Sequence, residues 1–289
     1  MKNRTVKSVL FAHEYAMGKL RVKQPFPSAK VEYPDPFLLL HHAKMNINPE
    51  NNLKNEGVGP HPHRGFSPVT FIFEGGVHHR DSRGNDSVIY KGGVQWMNAG
   101  MGIIHSERPP LDIHTLGSTQ EIIQMWVNTP ADAKMKEPEY HPLTSEETPV
   151  WTNPSGKTTV KVVTGSVLGL NGPIPIPVEV NSATIYLKKD ETIYLPLPVS
   201  HEAFLYLLDG SIHIEEYGKV EKEHSVFFEK DGEQIGIKGL EDTRILFMSG
   251  EPINEPMKSH GPFVMNTESQ LLVAMRDYQM GKMGVLIED

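Results

Sequence analysis

Short apolar stretches of alternating polarity recur along the whole chain: "FLLLHHAKM" (37–45), "SPVTFIFEGGV" (67–77), "EIIQMWVNT" (121–129), "TVKVVTGSV" (159–167), "ATIYLKK" (183–189), "EAFLYLLDGSIHIEEY" (202–217), "SVFFE" (225–229) and "TRILFMSG" (243–250). Each is rich in β-branched and aromatic residues and bounded by Gly, Pro, Asn or Asp, the composition of a strand between turns. Helical period shows only in "TESQLLVAMRDYQMGK" (267–282), which opens on a capping box, Thr267 with Gln270 three residues on, and ends near a glycine. The pattern predicts an all-β protein of barrel or sandwich type with one short C-terminal helix.

Between residues 130 and 149 the chain turns polar and proline-bearing, "PADAKMKEPEYHPLTSEETP", which is linker composition. A boundary there predicts two domains, 1–135 and 136–289. Comparing the two sides exposes a repeat. "HPHRGFSPVTFIFEGGVHH" (61–79) lies without gaps over "PLPVSHEAFLYLLDGSIHI" (196–214), so that Glu74-Gly75 falls on Asp209-Gly210 and Val69, Phe71 and Phe73 fall on Phe204, Tyr206 and Leu208. A second block, "GVQW" (93–96) over "SVFF" (225–228), follows at a shift three residues smaller. One small β-barrel is written twice.

The chain has 289 residues, enough for two cores, with 22% charged and 38% hydrophobic residues. Its net charge of −8 argues against direct binding to nucleic acid or to anionic membrane surfaces. Zero cysteines exclude disulfides, thiol nucleophiles and Cys-based metal sites, and fit a reducing cytoplasm. Near the N-terminus the only apolar run, Val9 to Ala12, is too short for a secretory signal, and no stretch reaches the length of a membrane span. A cytoplasmic protein is the expectation. "SGKT" (155–158) lacks the glycine a phosphate loop needs, and Ser106 beside His105 has no nucleophile elbow around it.

Candidate chemistry concentrates in histidines. Residues i and i+2 of a strand share a face, roughly 6.6–7 Å apart. His61 and His63 in "GPHPHRGF" can therefore aim both rings into one cavity, and "GIIHSERPP" repeats the device with His105 and Glu107. Three imidazoles and a carboxylate form an N/O set suited to Fe, Mn, Co, Ni, Cu or Zn. A lone histidine is more often structural or solvated; two such pairs on neighbouring strands form a pattern. The adjacent doublets His41-His42 and His78-His79 split between opposite faces and read as outlying residues. In the second half the aligned positions are Pro196, Pro198, Ile237 and Gly239, so every candidate ligand is lost together.

"DPFLLLHH" (35–42), "PHPHRGF" (60–66), "GGVQWMNAGMGIIHSE" (92–107), "QMWVN" (124–128), "EPEY" (137–140) and "EPINEPMKSHGPFVMNT" (251–267) together resemble the pirin family over most of the chain, in the family's order. The resemblance implies a bicupin: two jelly-roll barrels, the first metal-binding and the second degenerate. It implies that His61, His63, His105 and Glu107 are ligands of one divalent ion, iron in the first instance, and that the activity is that of a flavonol (quercetin) 2,3-dioxygenase. Such an enzyme opens the ring of an enol substrate with O₂ and releases carbon monoxide. Three neutral imidazoles and one carboxylate would leave the ion at net +1, attractive to an enolate, with Glu107 as the base that takes the substrate's proton.

Phe71, Phe73, Trp96, Met97, Met101 and Met125 are expected to line the pocket, and Gln95 to support the site. The alternative from the same resemblance is a metal-bearing, redox-responsive regulator that acts through a protein partner; a cupin isomerase or decarboxylase could use the same ligands. A monomer is expected, since a bicupin pairs its barrels within one chain. Ser67-Pro68 stands where many relatives have Glu-Thr, and 108–121 is longer than its usual counterpart, both of which bear on substrate choice.

Overall fold

A computed structural model describes residues 1–288. The alternating stretches pair antiparallel into two seven-stranded and two four-stranded sheets, with two small two-stranded pairs. In hydrogen-bonded order, one large sheet runs Glu139–Leu143, Val94–Asn98, Phe66–Glu74, Thr119–Asn128, Phe37–Asn46, Leu20–Gln24, His13–Met17. The other runs Val6–Phe11, His224–Phe228, Glu202–Leu207, Thr243–Gly250, Val180–Leu187, Thr158–Thr164, Val150–Thr152. The four-stranded sheets run Val58–His63, Ile103–Arg108, Gly76–Asp81, Asp86–Tyr90 and Thr192–Pro196, Gln234–Gly239, Ser211–Ile214, Gly218–Glu221.

These orders coincide strand for strand, so the repeat read in the sequence is a repeat of topology: two cupin-type jelly rolls. Gly75 and Gly210, aligned in the sequence, both have φ +69°. Each makes the left-handed turn into the neighbouring sheet that a Cβ would obstruct.

The first strand of each large sheet comes from a different place in the chain. In one barrel Glu139–Leu143 simply follows the rest and pairs with Val94–Asn98; in the other Val6–Phe11, from the N-terminus, pairs with His224–Phe228 in the same slot. The chain thus divides into one unit of Met1–Glu14, Lys23–Pro36 and Glu146–Pro252, and a second of Tyr15–Val22, Phe37–Ser145 and the segment from Ile253 onward. These are not the contiguous halves 1–135 and 136–289. Within the expected linker, Glu139–Leu143 is the first barrel's outer strand. The C-terminal helix, Glu268–Gln279, also belongs with the first barrel.

That helix opens on the capping box read from the sequence: Thr267 Oγ1 accepts from Gln270 N, and Gln270 Oε1 from Thr267 N. Its apolar Leu271 and Ala274 pack on Phe263 and Met265 with Ile104 alongside, which is why it covers the first barrel. Asp277 on the helix meets Arg64, the residue after His63, at 3.1 Å. Arg64 is 3% exposed, and its Nε donates to the Met101 carbonyl at 2.6 Å. Hydrogen bonds from Lys282 and Arg64 hold the Asp277 carboxyl below the ordinary aspartate value, so this contribution is present at neutral pH and fades as the pH falls below that range. Asp277→Ala strands a buried guanidinium and is expected to cost about 3–5 kcal/mol in urea unfolding; a loss under about 1 kcal/mol would mean the pair does not anchor the helix.

No helix among the described residues is long and apolar enough to cross a membrane, a statement about helices alone.

Candidate metal centre

Val58–His63 is the edge strand of its sheet, the place where a ladder tolerates prolines. Pro60 and Pro62 stiffen the extended backbone between which His61 and His63 alternate to one face. The neighbouring strand Ile103–Arg108 runs antiparallel with His105 directly opposite His61 and Ile103 opposite His63. Three imidazoles meet there, ring centroids 4.4 Å (His61–His105), 4.7 Å (His61–His63) and 5.0 Å (His63–His105) apart. Their ligand nitrogens lie within 4.8 Å of one another, a cluster able to hold a metal ion.

Hydrogen bonding decides which nitrogens are free. His61 Nδ1 lies 2.8 Å from the Gly59 carbonyl and His63 Nδ1 3.4 Å from the Pro262 carbonyl. A carbonyl only accepts, so both Nδ1 atoms carry the proton and each Nε2 keeps a lone pair. The buried Nε2 atoms of His63 and His105 have no hydrogen-bond partner among the described residues. Buried polar atoms without partners are uncommon and costly. Imidazole lone pairs clustered within 4.8 Å of one another are the donor set a first-row cation needs, so these residues fit a metal. Burial, reinforced by the neighbouring imidazoles, pushes His63 and His105 well below the ordinary histidine value, so both are neutral at neutral pH. Phe66 and Trp126 stand edge-on to His63, at 5.0 and 5.5 Å.

Glu107, the fourth expected ligand, sits two residues beyond His105 and is 7% exposed, but the cluster able to hold an ion comprises the three imidazoles without it. Thr70 Oγ1 donates to its Oε1 at 2.5 Å and Gln124 Nε2 to its Oε2 at 2.7 Å. Neither Thr70 nor Gln124 stood out in the sequence, although each is the polar interruption of an apolar strand, in "SPVTFIF" and "EIIQMWV". They face each other across the sheet, with Gln95 beyond Thr70 and His41 beyond Gln124. Gln95 donates to the Val77 carbonyl at 2.9 Å.

Beside Glu107 opens a cleft of about 470 Å³, its mouth included, walled by Leu20, Met45, Ile122, Gln124 and His41. Burial lowers His41 to about 4, so it too is neutral.

The expected pocket lining is out of phase. Gln124 pairs with Thr70, whereas Met125 pairs with Val69, Ile123 with Phe71 and Trp96 with Val69. Alternation therefore puts Phe71, Phe73, Trp96 and Met125 on the sheet's other face, away from the cleft. Met97 packs with Ala99 and Ile103, and Met101 enters through its carbonyl, the acceptor for Arg64.

The aligned loss of ligands also needs a register correction. In the second barrel Ile237 stands opposite Ile193 and Ile235 opposite Leu195. The counterparts of His61, His63 and His105 are thus Ile193, Leu195 and Ile237, a constant offset of 132, and not Pro196 and Pro198. All three are buried in that barrel's core. Where one barrel places three imidazoles, the other places three aliphatic side chains.

His78 and His79 divide as neighbours on a strand must. His78 reaches Asp86 at 2.6 Å on the exposed side. His79 is buried against His105 and Asp81, and Tyr140 stacks on it at 3.9 Å. The long segment after Arg108 forms a short helix, Leu111–Leu116, with both leucines exposed.

Known proteins are similar to this chain in sequence and fold. Residues 19–127 match the Pirin family model and residues 182–284 that of the Pirin C-terminal cupin domain. Human pirin is 34% identical over 274 residues, 91% of this chain and 88% of that protein. A crystal structure of quercetin 2,3-dioxygenase from Acinetobacter baumannii superposes with a TM-score of 0.92 at 29% identity, covering 99% of this chain and 100% of that one. A bacterial pirin from Escherichia coli, solved in complex with nickel(II), shares the fold with a TM-score of 0.68 at 18% identity, over 85% of this chain and 99% of that one. On sequence, barrel topology and the extent of these matches alike, the chain belongs to the pirin family.

Proposed function

We propose that the protein is a metal-dependent dioxygenase of the quercetinase type, acting with O₂ on a flavonol or similar enol. The observation that carries this is the pair of buried, unpartnered Nε2 atoms of His63 and His105 with His61 beside them. Glu107, two residues beyond His105 on the same strand, lines an apolar cleft. His61, His63 and His105 would hold the ion through Nε2, with Glu107 as the fourth ligand the resemblance implies, and iron as the first candidate metal. When bound, the ion would supply a Lewis acid for the enol oxygen and a redox-active centre for its reaction with O₂.

The chain's own residues do the rest. Thr70 and Gln124 each donate to one oxygen of Glu107, which orients the carboxylate and leaves a lone pair on each oxygen to accept the enol proton. Leu20, Met45 and Ile122 offer an apolar wall to a flat substrate and exclude water from it. Neutral His41 can hydrogen-bond a substrate hydroxyl without adding charge.

Iron-loaded protein offered quercetin in air is expected to bleach the flavonol and consume O₂ in equal amounts, and to do neither after chelation. Protein that loads metal stoichiometrically yet leaves both quercetin and O₂ unchanged would be the metal-bearing binding protein instead.

A further inference from the structure

Outside the three imidazoles, one buried chain of polar groups runs directly to the candidate centre. His79 Nε2 lies 3.1 Å from Asp81 Oδ2, and His79 Nδ1 lies 3.4 Å from His105 Nδ1. His79 and Asp81 are 2% and 4% exposed. The other partners of the Asp81 carboxylate are all donors: the backbone N–H groups of Arg83 and Asn85 and the Asn85 side-chain amide, at 2.8–3.1 Å. Tyr140 lies flat on the His79 ring, 3.9 Å away and 3° from parallel, with its hydroxyl on Ser87 at 2.6 Å. The stack keeps the His79 ring from tipping out of its plane.

The proton order of this chain is set from its carboxylate end. A carboxylate accepts and never donates, so His79 gives its Nε2–H to Asp81, and with that one ring proton its Nδ1 is a bare acceptor. The only donor that can face that acceptor is His105 Nδ1–H. His105 must then keep its Nε2 as a lone pair, the same atom that is buried without a partner. His61 and His63 obtain the same tautomer from backbone carbonyls. His105 depends on a side chain for it.

We infer that Asp81 and His79 are positioning residues for the metal: through the hydrogen-bond sequence Asp81–His79–His105 they hold His105 in the Nδ1-protonated form, aimed for coordination through Nε2. This rests on the metal-binding reading above. It adds two residues that do not touch the ion, and it assigns a direction to every proton in the chain. A buried acceptor behind a ligand imidazole characteristically changes metal affinity 10- to 100-fold.

The test compares His79→Leu with His79→Gln. Both remove the ring on which Tyr140 stacks, but glutamine retains a carbonyl that can accept from His105 Nδ1–H, whereas leucine cannot. Cobalt(II) is the probe, titrated into full-length chelator-stripped protein against a competing chelator. His79→Leu is expected to weaken cobalt binding about 10- to 100-fold, and His79→Gln to stay within about fivefold of the original chain.

In the cobalt-loaded original chain, proton NMR is expected to show three exchangeable, strongly shifted imidazole N–H signals. Asp81→Asn, which keeps an acceptor for His79 but removes the charge, is expected to move one of them and leave two in place. Equal losses in the leucine and glutamine variants would show a packing role and overturn the inference, as would an unmoved signal in Asp81→Asn. Failure of the original chain itself to bind cobalt would remove the metal-binding reading and this inference with it; binding by the original chain with no difference in His79→Leu would remove the inference alone.

Discussion

Replacing His61, His63 and His105 with isoleucine, leucine and isoleucine is expected to leave a folded protein that no longer takes up metal and is more stable than the metal-stripped original. The substitutions copy the second barrel, where Ile193, Leu195 and Ile237 occupy the same register positions in an identical sheet order and are buried in its core. In the first barrel those positions carry two buried Nε2 atoms without partners. An unsatisfied buried polar atom costs about 1–3 kcal/mol, and side chains of similar volume add little strain.

His105→Ile also strands the buried His79 Nδ1 acceptor, which offsets one of the two gains. The metal-free triple variant should therefore gain about 1 kcal/mol or more, read as a rise in Tm of roughly 2–4 °C over chelator-treated original protein. Bound metal should fall from about one ion per chain to under about 0.1, because no donor set remains. Metal raises the stability of the original chain by mass action and would leave the variant's melting curve unchanged. A triple variant that melts below the stripped original would show that the imidazoles are built into the packing and not held open for an ion.

The two barrels also show what a single sequence can and cannot tell. Strand identity was legible because alternation and turn residues are local, and the helix because Thr267 and Gln270 form its cap within four residues. The ligand histidines were legible because i,i+2 spacing is a local geometric fact. Which strand completes which sheet is decided by partners more than two hundred residues apart, as with Val6–Phe11 against His224–Phe228. No local signal carries that.

The wrong phase assigned to Phe71 and Met125 has a different cause. Phe71's strand is buried on both faces and Met125's carries apolar Ile122 and Trp126 half-buried on its other face, so hydrophobicity gives no indication of which face looks into the cleft. There the informative residues were the polar ones, Thr70 and Gln124, whose burial has to be compensated by a partner. The offset between Pro196 and the true counterpart Ile193 arises from three extra residues ahead of the second barrel's Glu202–Leu207 strand, to which an ungapped comparison is blind. The loss of ligands is the same on either alignment, but only the register shows that aliphatic core replaces them.

The second large effect concerns Glu107. Glu107→Gln is expected to lower flavonol turnover about 10²- to 10⁴-fold, the range characteristic of losing a positioned base, while the three imidazoles keep the metal within about tenfold of its original affinity. The carboxylate now faces two donors, Thr70 Oγ1–H and Gln124 Nε2–H. A glutamine amide offers one acceptor and one donor, so one contact must reverse. Thr70 can accommodate this, because its hydroxyl rotates and its oxygen then accepts. Gln124 cannot reverse as freely, since its own oxygen accepts from Trp126 Nε1 at 3.4 Å.

The variant should thus fold with the introduced amide oriented by Gln124 and Thr70 turned around, in a site of nearly unchanged shape that has lost its proton acceptor. Thr70→Val separates orientation from proton transfer. It removes one of the two donors and leaves the carboxylate in place, so its turnover should fall by about 10-fold, well short of the Glu107→Gln loss. Stopped-flow bleaching of quercetin by metal-matched samples measures both. Turnover in Glu107→Gln within about tenfold of the original chain would place the proton acceptor elsewhere, with neutral His41, across the same cleft, as the next group to substitute.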